Sequence, residues 1–151
     1  LGSFVAQNYS ANKMERAKKA LTFTLKTMLS FGVLVSIAFM IFGNNIFSIF
    51  IPEREAYLAG GDYLFILGIS QVFMMLELTT QGMFNGIGRT SPPAIISIVF
   101  NAIRIPFAMF LAARVGVTGV WWAITITTLF KGTILTMWYY LVQRKIMRKQ
   151  F

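Results

Sequence analysis

The sequence contains no cysteine and no histidine, and only five of its 151 residues are acidic. Without thiols there is neither a disulfide nor a thiolate metal site, and without imidazole there is no histidine ligand and no nucleophile–histidine triad. Chemistry would fall to the five acids, of which Glu77 alone sits within an apolar run. An enzyme is not expected. Charge is scarce too: 13% of the residues are charged, where soluble domains carry about 25%. From Thr27 to Pro52 there is no charged residue at all. No low-complexity segment and no internal repeat interrupts the chain.

What the chain does hold is apolar length. It is 56% hydrophobic and 15% aromatic, with a mean hydropathy of +0.66. A spanning helix needs about 20 mostly apolar residues, and four stretches meet that, at about 27–51, 63–88, 94–113 and 120–143. The expected fold is all-α, a polytopic membrane bundle of four transmembrane helices. Residues 1–26 form the end of a preceding helix and a basic loop, and 27–151 form the bundle with a basic tail. The chain opens on Leu1, and Leu1–Asn8 has the pattern of a helix already under way. Asn12 with Glu15 three residues on gives the pattern of a capping box. Pro52–Asp62, with two glycines and three acids, is expected to be a polar connector; Arg89–Pro93 and Arg114–Gly119 make the later turns.

The net charge of +9 does not point to nucleic acid, because the basic residues gather at the ends of apolar segments and form no stripe on a soluble face. They sort by side instead. Lys13, Arg16, Lys18, Lys19, Lys26, Arg89, Arg144, Lys145, Arg148 and Lys149 fall on one side, and only Arg54 and Arg114 on the other. By the positive-inside rule the first side, with the C-terminus, is cytoplasmic. The expected location is the plasma (cell inner) membrane. The Lys13–Lys19 cluster serves as a topology signal at the lipid surface. Trp121, Trp122, Trp138, Tyr139 and Tyr140, near the ends of the fourth span, fit an interfacial aromatic belt.

Three charges lie deep in the spans: Glu77, Arg104 and Lys131. At that depth each costs about 3 kcal/mol on insertion scales, so each is expected to face the protein interior or a wet cavity. Helical spacing supports this. Ser70, Glu77, Thr80 and Gln81 share one face of the second span; Ser97, Asn101 and Arg104 share one of the third; Thr127, Thr128 and Lys131 share one of the fourth. Two readings of Glu77 stand side by side. It is a static partner of Arg104 or Lys131 that locks the bundle, or a carboxylate that takes up a coupling proton or cation. Gly82 and Gly86, with Gly88, permit close helix approach, and Pro106 is expected to kink the third span as packing or as a hinge.

Several motifs, in order, resemble the C-terminal third of the multidrug and toxic compound extrusion (MATE) transporters. Phe4-Val-Ala-Gln-Asn-Tyr-Ser-Ala-Asn-Lys-Met-Glu-Arg-Ala17 resembles the loop after that family's eighth helix, and Ile49-Phe-Ile-Pro-Glu53 the external end of the ninth. Glu77 through Gly88, followed by Arg-Thr-Ser-Pro, is similar to the tenth helix and its turn. Arg104-Ile-Pro-Phe107 and Gly119-Val-Trp121 resemble the eleventh helix and the start of the twelfth. The resemblance implies part of the C-terminal lobe of a twelve-helix, two-lobe transporter. Such a protein antiports cationic or amphiphilic compounds against sodium or protons by alternating access. It further implies that Glu77, on the tenth helix, takes part in coupling. Thr80, Gln81, Asn101, Arg104 and Lys131, on the polar faces that helical spacing gives, are expected to line the same cation or substrate pathway. No organic cofactor is expected. The coupling ion is Na+ or H+, and Na+ beside Glu77 is the single metal ion the pattern admits. The expected partners are membrane lipids, a small organic substrate and the N-terminal lobe, which this sequence lacks. Two alternatives remain: a flippase of the wider superfamily, whose anionic cargo would suit Arg104 and Lys131, and a four-span scaffold in which Glu77 is statically paired.

Overall fold

The computed structural model describes residues 1–147, with side chains through Gln143. The side chains of the expected basic tail, Arg144, Lys145, Arg148 and Lys149, lie outside the described residues. Five helices follow one another: α1 (Gly2–Ser10), α2 (Met14–Phe50), α3 (Arg54–Gly86), α4 (Ser91–Val115) and α5 (Val117–Met147). Four of them, α2 to α5, are long and apolar enough to cross a membrane. The protein is an all-α, multi-pass membrane bundle.

The helices outrun the spans read from the sequence, and the excess has local causes. The basic segment before residue 27 is not a loop but the first turns of the 37-residue α2. At 1.5 Å per residue α2 is about 55 Å long, well beyond the ~30 Å hydrocarbon core. Lys, Glu, Arg and Ala are strong helix formers, and Lys18 Nζ bonds Glu15 Oε1 at 2.7 Å across one turn. That hydrogen bond, followed by the Lys18 charge, holds the Glu15 carboxyl below its ordinary pKa. The capping box does not form: Asn12 takes a positive φ of 55°, and Lys13 sits at the cap with no side-chain bond. Glu15 is spent on Lys18 instead.

The expected connector Pro52–Asp62 is helical from Arg54 onward. Gly60 and Gly61, which in isolation favour a loop, lie where α2 presses against α3. A Cβ at Gly61 would collide with Asn44 and one at Gly60 with Phe47. Tertiary packing overrides propensity here. Likewise Arg114–Gly119 shrinks to a break at Gly116, whose φ of 68° and ψ of −149° only glycine adopts easily. Pro92 and Pro93 stand in the first turn of α4, where their missing N–H groups leave no helix bond unmade, and α4 continues through Pro106 as helix.

The contacts give the order across the bundle. Gly32 of α2 meets Val72 of α3, Gly68 meets Phe39 and Met40, and Gly43 meets Gly61. As one number rises the other falls, so α2 and α3 are antiparallel. Arg104 bonds Thr127 while Leu111 abuts Gly119, so α4 and α5 are antiparallel as well. Between α3 and α5 the numbers climb together: Ile66 with Thr125, Phe73 with Gly132, Thr80 with Thr136, Phe84 with Tyr139. These two helices are parallel neighbours, and the lateral order is α2–α3–α5–α4. The centre is visible in the burial, since α3 and α5 bury far more of their apolar length than the outer helices α2 and α4. The outer helices offer Phe31, Leu34, Ile98 and Met109 outward, as a lipid-facing surface does.

One end is closed by α1. Val5 is fully buried against Gly86, and Gly2 lies against Gly82. Met83, Phe84, Ile87, Leu135 and Tyr139 complete that apolar cluster. Tyr139 is therefore 2% exposed and core, not part of an aromatic belt, whereas Trp122 and Tyr140 are exposed as a belt requires. Trp121 packs edge-on to Tyr63 with ring centroids 5.6 Å apart.

Candidate functional site

The centre of interest lies along the α3–α5 seam. At Gly132 the helices come so close that a Cβ would strike the Phe73 carbonyl oxygen. One turn further along α3, Glu77 Oε1 meets Lys131 Nζ at 2.8 Å, the two side chains being 13% and 12% exposed. One turn beyond that, the Thr80 and Thr136 hydroxyls lie 3.2 Å apart. Thr136 donates its proton to the Gly132 carbonyl at 2.8 Å, so Thr80 is the donor in that pair. The ion pair is thus held between a backbone contact and a hydroxyl bridge.

Arg104 reaches α5 from α4, at the α4–α5 contact. Its Nε donates to Thr127 Oγ1 at 2.8 Å and its Nη2 to Thr128 Oγ1 at 3.5 Å. Both hydroxyls direct their own protons to backbone carbonyls of α5, Thr127 to Ala123 at 2.8 Å and Thr128 to Ile124 at 2.8 Å. Their oxygens are left to accept from the guanidinium. Among the described residues no carboxylate pairs with Arg104. A guanidinium has five N–H donors, so three remain for other acceptors. Its outer side lines a groove of about 390 Å³ with Ile105, Ala108, Met109 and Ala112 of α4 and Val120 and Ile124 of α5.

The structure therefore forms two polar clusters that share α5: Glu77 with Lys131 beside Thr80 and Thr136, and Arg104 on Thr127 and Thr128. Of the two counter-ions open to Glu77, it takes Lys131 and not Arg104. Gln81 is half-buried on α3, and Asn101 is exposed on α4, a turn before Arg104. Ser70 is buried but bonds its own helix at the Leu67 carbonyl. Gly82 and Gly86 do give close approach, and their partner is α1. Gly88 does not: nothing lies within 4 Å of where its Cβ would be, and it holds a φ of +72°. With Gly88 N–H on the Asn85 carbonyl and Arg89 N–H on the Phe84 carbonyl, it is the glycine of a Schellman stop to α3. The sequence reading missed Gly132, Thr136 and Thr125, the last bonding the Ile66 carbonyl at 3.0 Å. Gly132 and Thr136 continue the face begun by Thr128 at steps of four, a signal that was available. Among the described residues no cluster of three or more acids forms a metal cage.

A family model, MatE, matches residues 1–110. The chain belongs to the MatE family. It is 27% identical over 131 residues to the Multidrug and toxin extrusion protein 1 of Homo sapiens, an overlap covering 85% of this chain and 23% of that protein. It is 26% identical over 114 residues to the Probable multidrug resistance protein NorM of Thermotoga maritima, covering 74% and 25%. To a FAD transporter of Shewanella oneidensis it is 29% identical over 146 residues, covering 93% of this MatE chain and 31% of the relative. The chain therefore spans about a quarter to a third of the length of these relatives. No solved structure matches it.

Proposed function

We propose that this MatE chain is the C-terminal membrane segment of a secondary transporter that expels small cationic or amphiphilic organic compounds, with Glu77 as the residue that takes up the coupling ion. The observation that carries the reading is the Glu77–Lys131 pair itself. It is a carboxylate at membrane depth whose counter-ion sits on a different helix, so neutralising the carboxylate removes a bond between α3 and α5. Intramembrane ionisable residues mark ion and proton pathways, and transporter sites lie near the midplane between repeats. Names of relatives such as multidrug and toxin extrusion protein point the same way. The transport path forms with an N-terminal lobe, and the cytoplasmic side is the one carrying Lys13–Lys26, Arg89 and the C-terminus, by the ten-to-two bias of basic residues. The membrane is the plasma or cell inner membrane. The coupling ion is Na+ or H+.

The test is the Glu77→Gln substitution in the full-length protein, reconstituted in vesicles with a cationic dye and an imposed Na+ or H+ gradient. Gradient-driven efflux is expected to stop while passive dye binding survives. Efflux that keeps its gradient dependence would remove Glu77 from the coupling role.

A second reading has a specific observation behind it. Glu77, Lys131 and Arg104 together carry one net positive charge, and Arg104 keeps free donors beside an apolar groove. That arrangement suits an anionic amphiphile, and one relative is named a FAD transporter. Running the same vesicles with an anionic dye separates the two: preferential export of the anion, lost in Arg104→Gln, favours this reading.

A further inference from the structure

We infer that Lys131 is a tethered surrogate for the coupling cation: its ammonium occupies the place at Glu77 that a free monovalent cation must take. The inference rests on Glu77 being a cation-binding carboxylate, as proposed above, and adds what competes there.

Three features carry it. The ammonium touches a single carboxylate oxygen, Oε1, at 2.8 Å, the position a monovalent ion would hold. Lys131 comes from α5 and Glu77 from α3, so leaving the site requires only rotation of the long lysine stem, with no break in either helix. Finally, the seam is fastened independently of the pair, by Gly132 on Phe73, Thr80 on Thr136 and Thr125 on Ile66. The two helices are not left to separate when the pair opens. A lysine whose only task was to join α3 to α5 would be redundant beside these contacts. A lysine that neutralises a carboxylate while no ion is bound would not.

Occupation by Lys131 makes the empty site electrically satisfied. An incoming cation competes with an intramolecular amine at high effective concentration, which weakens binding and keeps the carboxylate from trapping the ion. Lys131 thus sets affinity and release rather than contacting the transported compound.

The test uses the full-length protein in detergent, with radiolabelled Na+ as the probe. Lys131→Gln is expected to tighten Na+ binding about tenfold or more, and Glu77→Gln/Lys131→Gln to abolish the gain. Unchanged or weaker binding in a folded Lys131→Gln protein would overturn the inference. Should that variant fail to fold, the wild type supplies the answer. Acylation of Lys131 by an amine-reactive ester, read by mass spectrometry, is expected to rise when Na+ is added, and a constant rate would refute displacement. The two readings fail separately. If Glu77→Gln stops coupled efflux while Lys131→Gln leaves affinity untouched, coupling at Glu77 stands and the surrogate role falls. If Glu77→Gln leaves efflux coupled, the function reading falls first.

Discussion

Replacing Glu77 or Lys131 alone is expected to damage stability more than replacing both. With side chains 13% and 12% exposed, either survivor keeps a polar or charged end where little water reaches it. Breaking a buried pair from one side costs about 3–5 kcal/mol. Glu77→Gln falls at the low end, because an amide oxygen still accepts from the ammonium; Lys131→Met strands a carboxylate and falls higher. The double change Glu77→Gln/Lys131→Met leaves neutral side chains of similar reach, and such replacements are often close to neutral. Contacts within one network couple by about 0.5–3 kcal/mol, and this pair belongs at the top of that range. The yardstick is the ordinary interhelical polar contact in a membrane, which averages about 0.6 kcal/mol. The assay is equilibrium unfolding of the purified full-length protein in mixed micelles, on the wild type, both single variants and the double. A coupling energy at or below that yardstick would refute the claim that the pair is desolvated and mutually dependent. An additive double variant would show that each residue has another partner.

Two other outcomes follow from the seam. Gly132→Val is expected to lower stability by about 2 kcal/mol or more, since the new side chain drives into the Phe73 carbonyl and overpacking costs about 1–3 kcal/mol even where the partner can yield; a thermal melt of the full-length protein checks this. Tyr139→Phe is expected to stabilise by about 1 kcal/mol, because among the described residues the buried hydroxyl has no hydrogen-bond partner and an unmet buried group costs about 1–3 kcal/mol. An unchanged or lower melting temperature would mean that the hydroxyl is satisfied.

The number of spans and the membrane setting were legible because hydropathy depends only on composition along the chain. The three deep charges were legible for the same reason: a charge in an apolar run stands out wherever it points. Helix ends were not. Gly60-Gly61 and the stretch around Arg114 carry loop-like residues, yet the first is helical because α2 needs its bare backbone for close approach, and the second narrows to Gly116 alone. Propensity is a local quantity and these outcomes are tertiary. The choice of Lys131 over Arg104 for Glu77 was hidden for a related reason. It depends on α5 lying between α3 and α4, an order that no periodicity within a single helix encodes. Tyr139 was misplaced as a belt residue because depth along the helix was legible and the presence of α1 and Phe84 beside it was not.

The helix order also determines how binding at Glu77 would reach α4. Arg104 holds Thr127, one turn before Lys131 on α5, so both cations are anchored on neighbouring turns of that helix. While Glu77 is ionised and paired, its charge offsets one of the two cations. Once a proton or metal ion neutralises Glu77, both remain uncompensated. Their mutual repulsion is then no longer offset, and it is weakly screened where little water reaches. The hydroxyls of Thr127 and Thr128 accept from the guanidinium but bring no negative charge to offset it, and the longer bond, at 3.5 Å, is the weak point. The repulsion would therefore act at the α4–α5 contact, while the α3–α5 seam stays fastened by Gly132 and Thr136. Neutralising a carboxylate on α3 would in this way act on a helix that packs mainly on α5. Arg104, which lacks an acidic partner of its own among the described residues, would make α4 sensitive to the charge at Glu77.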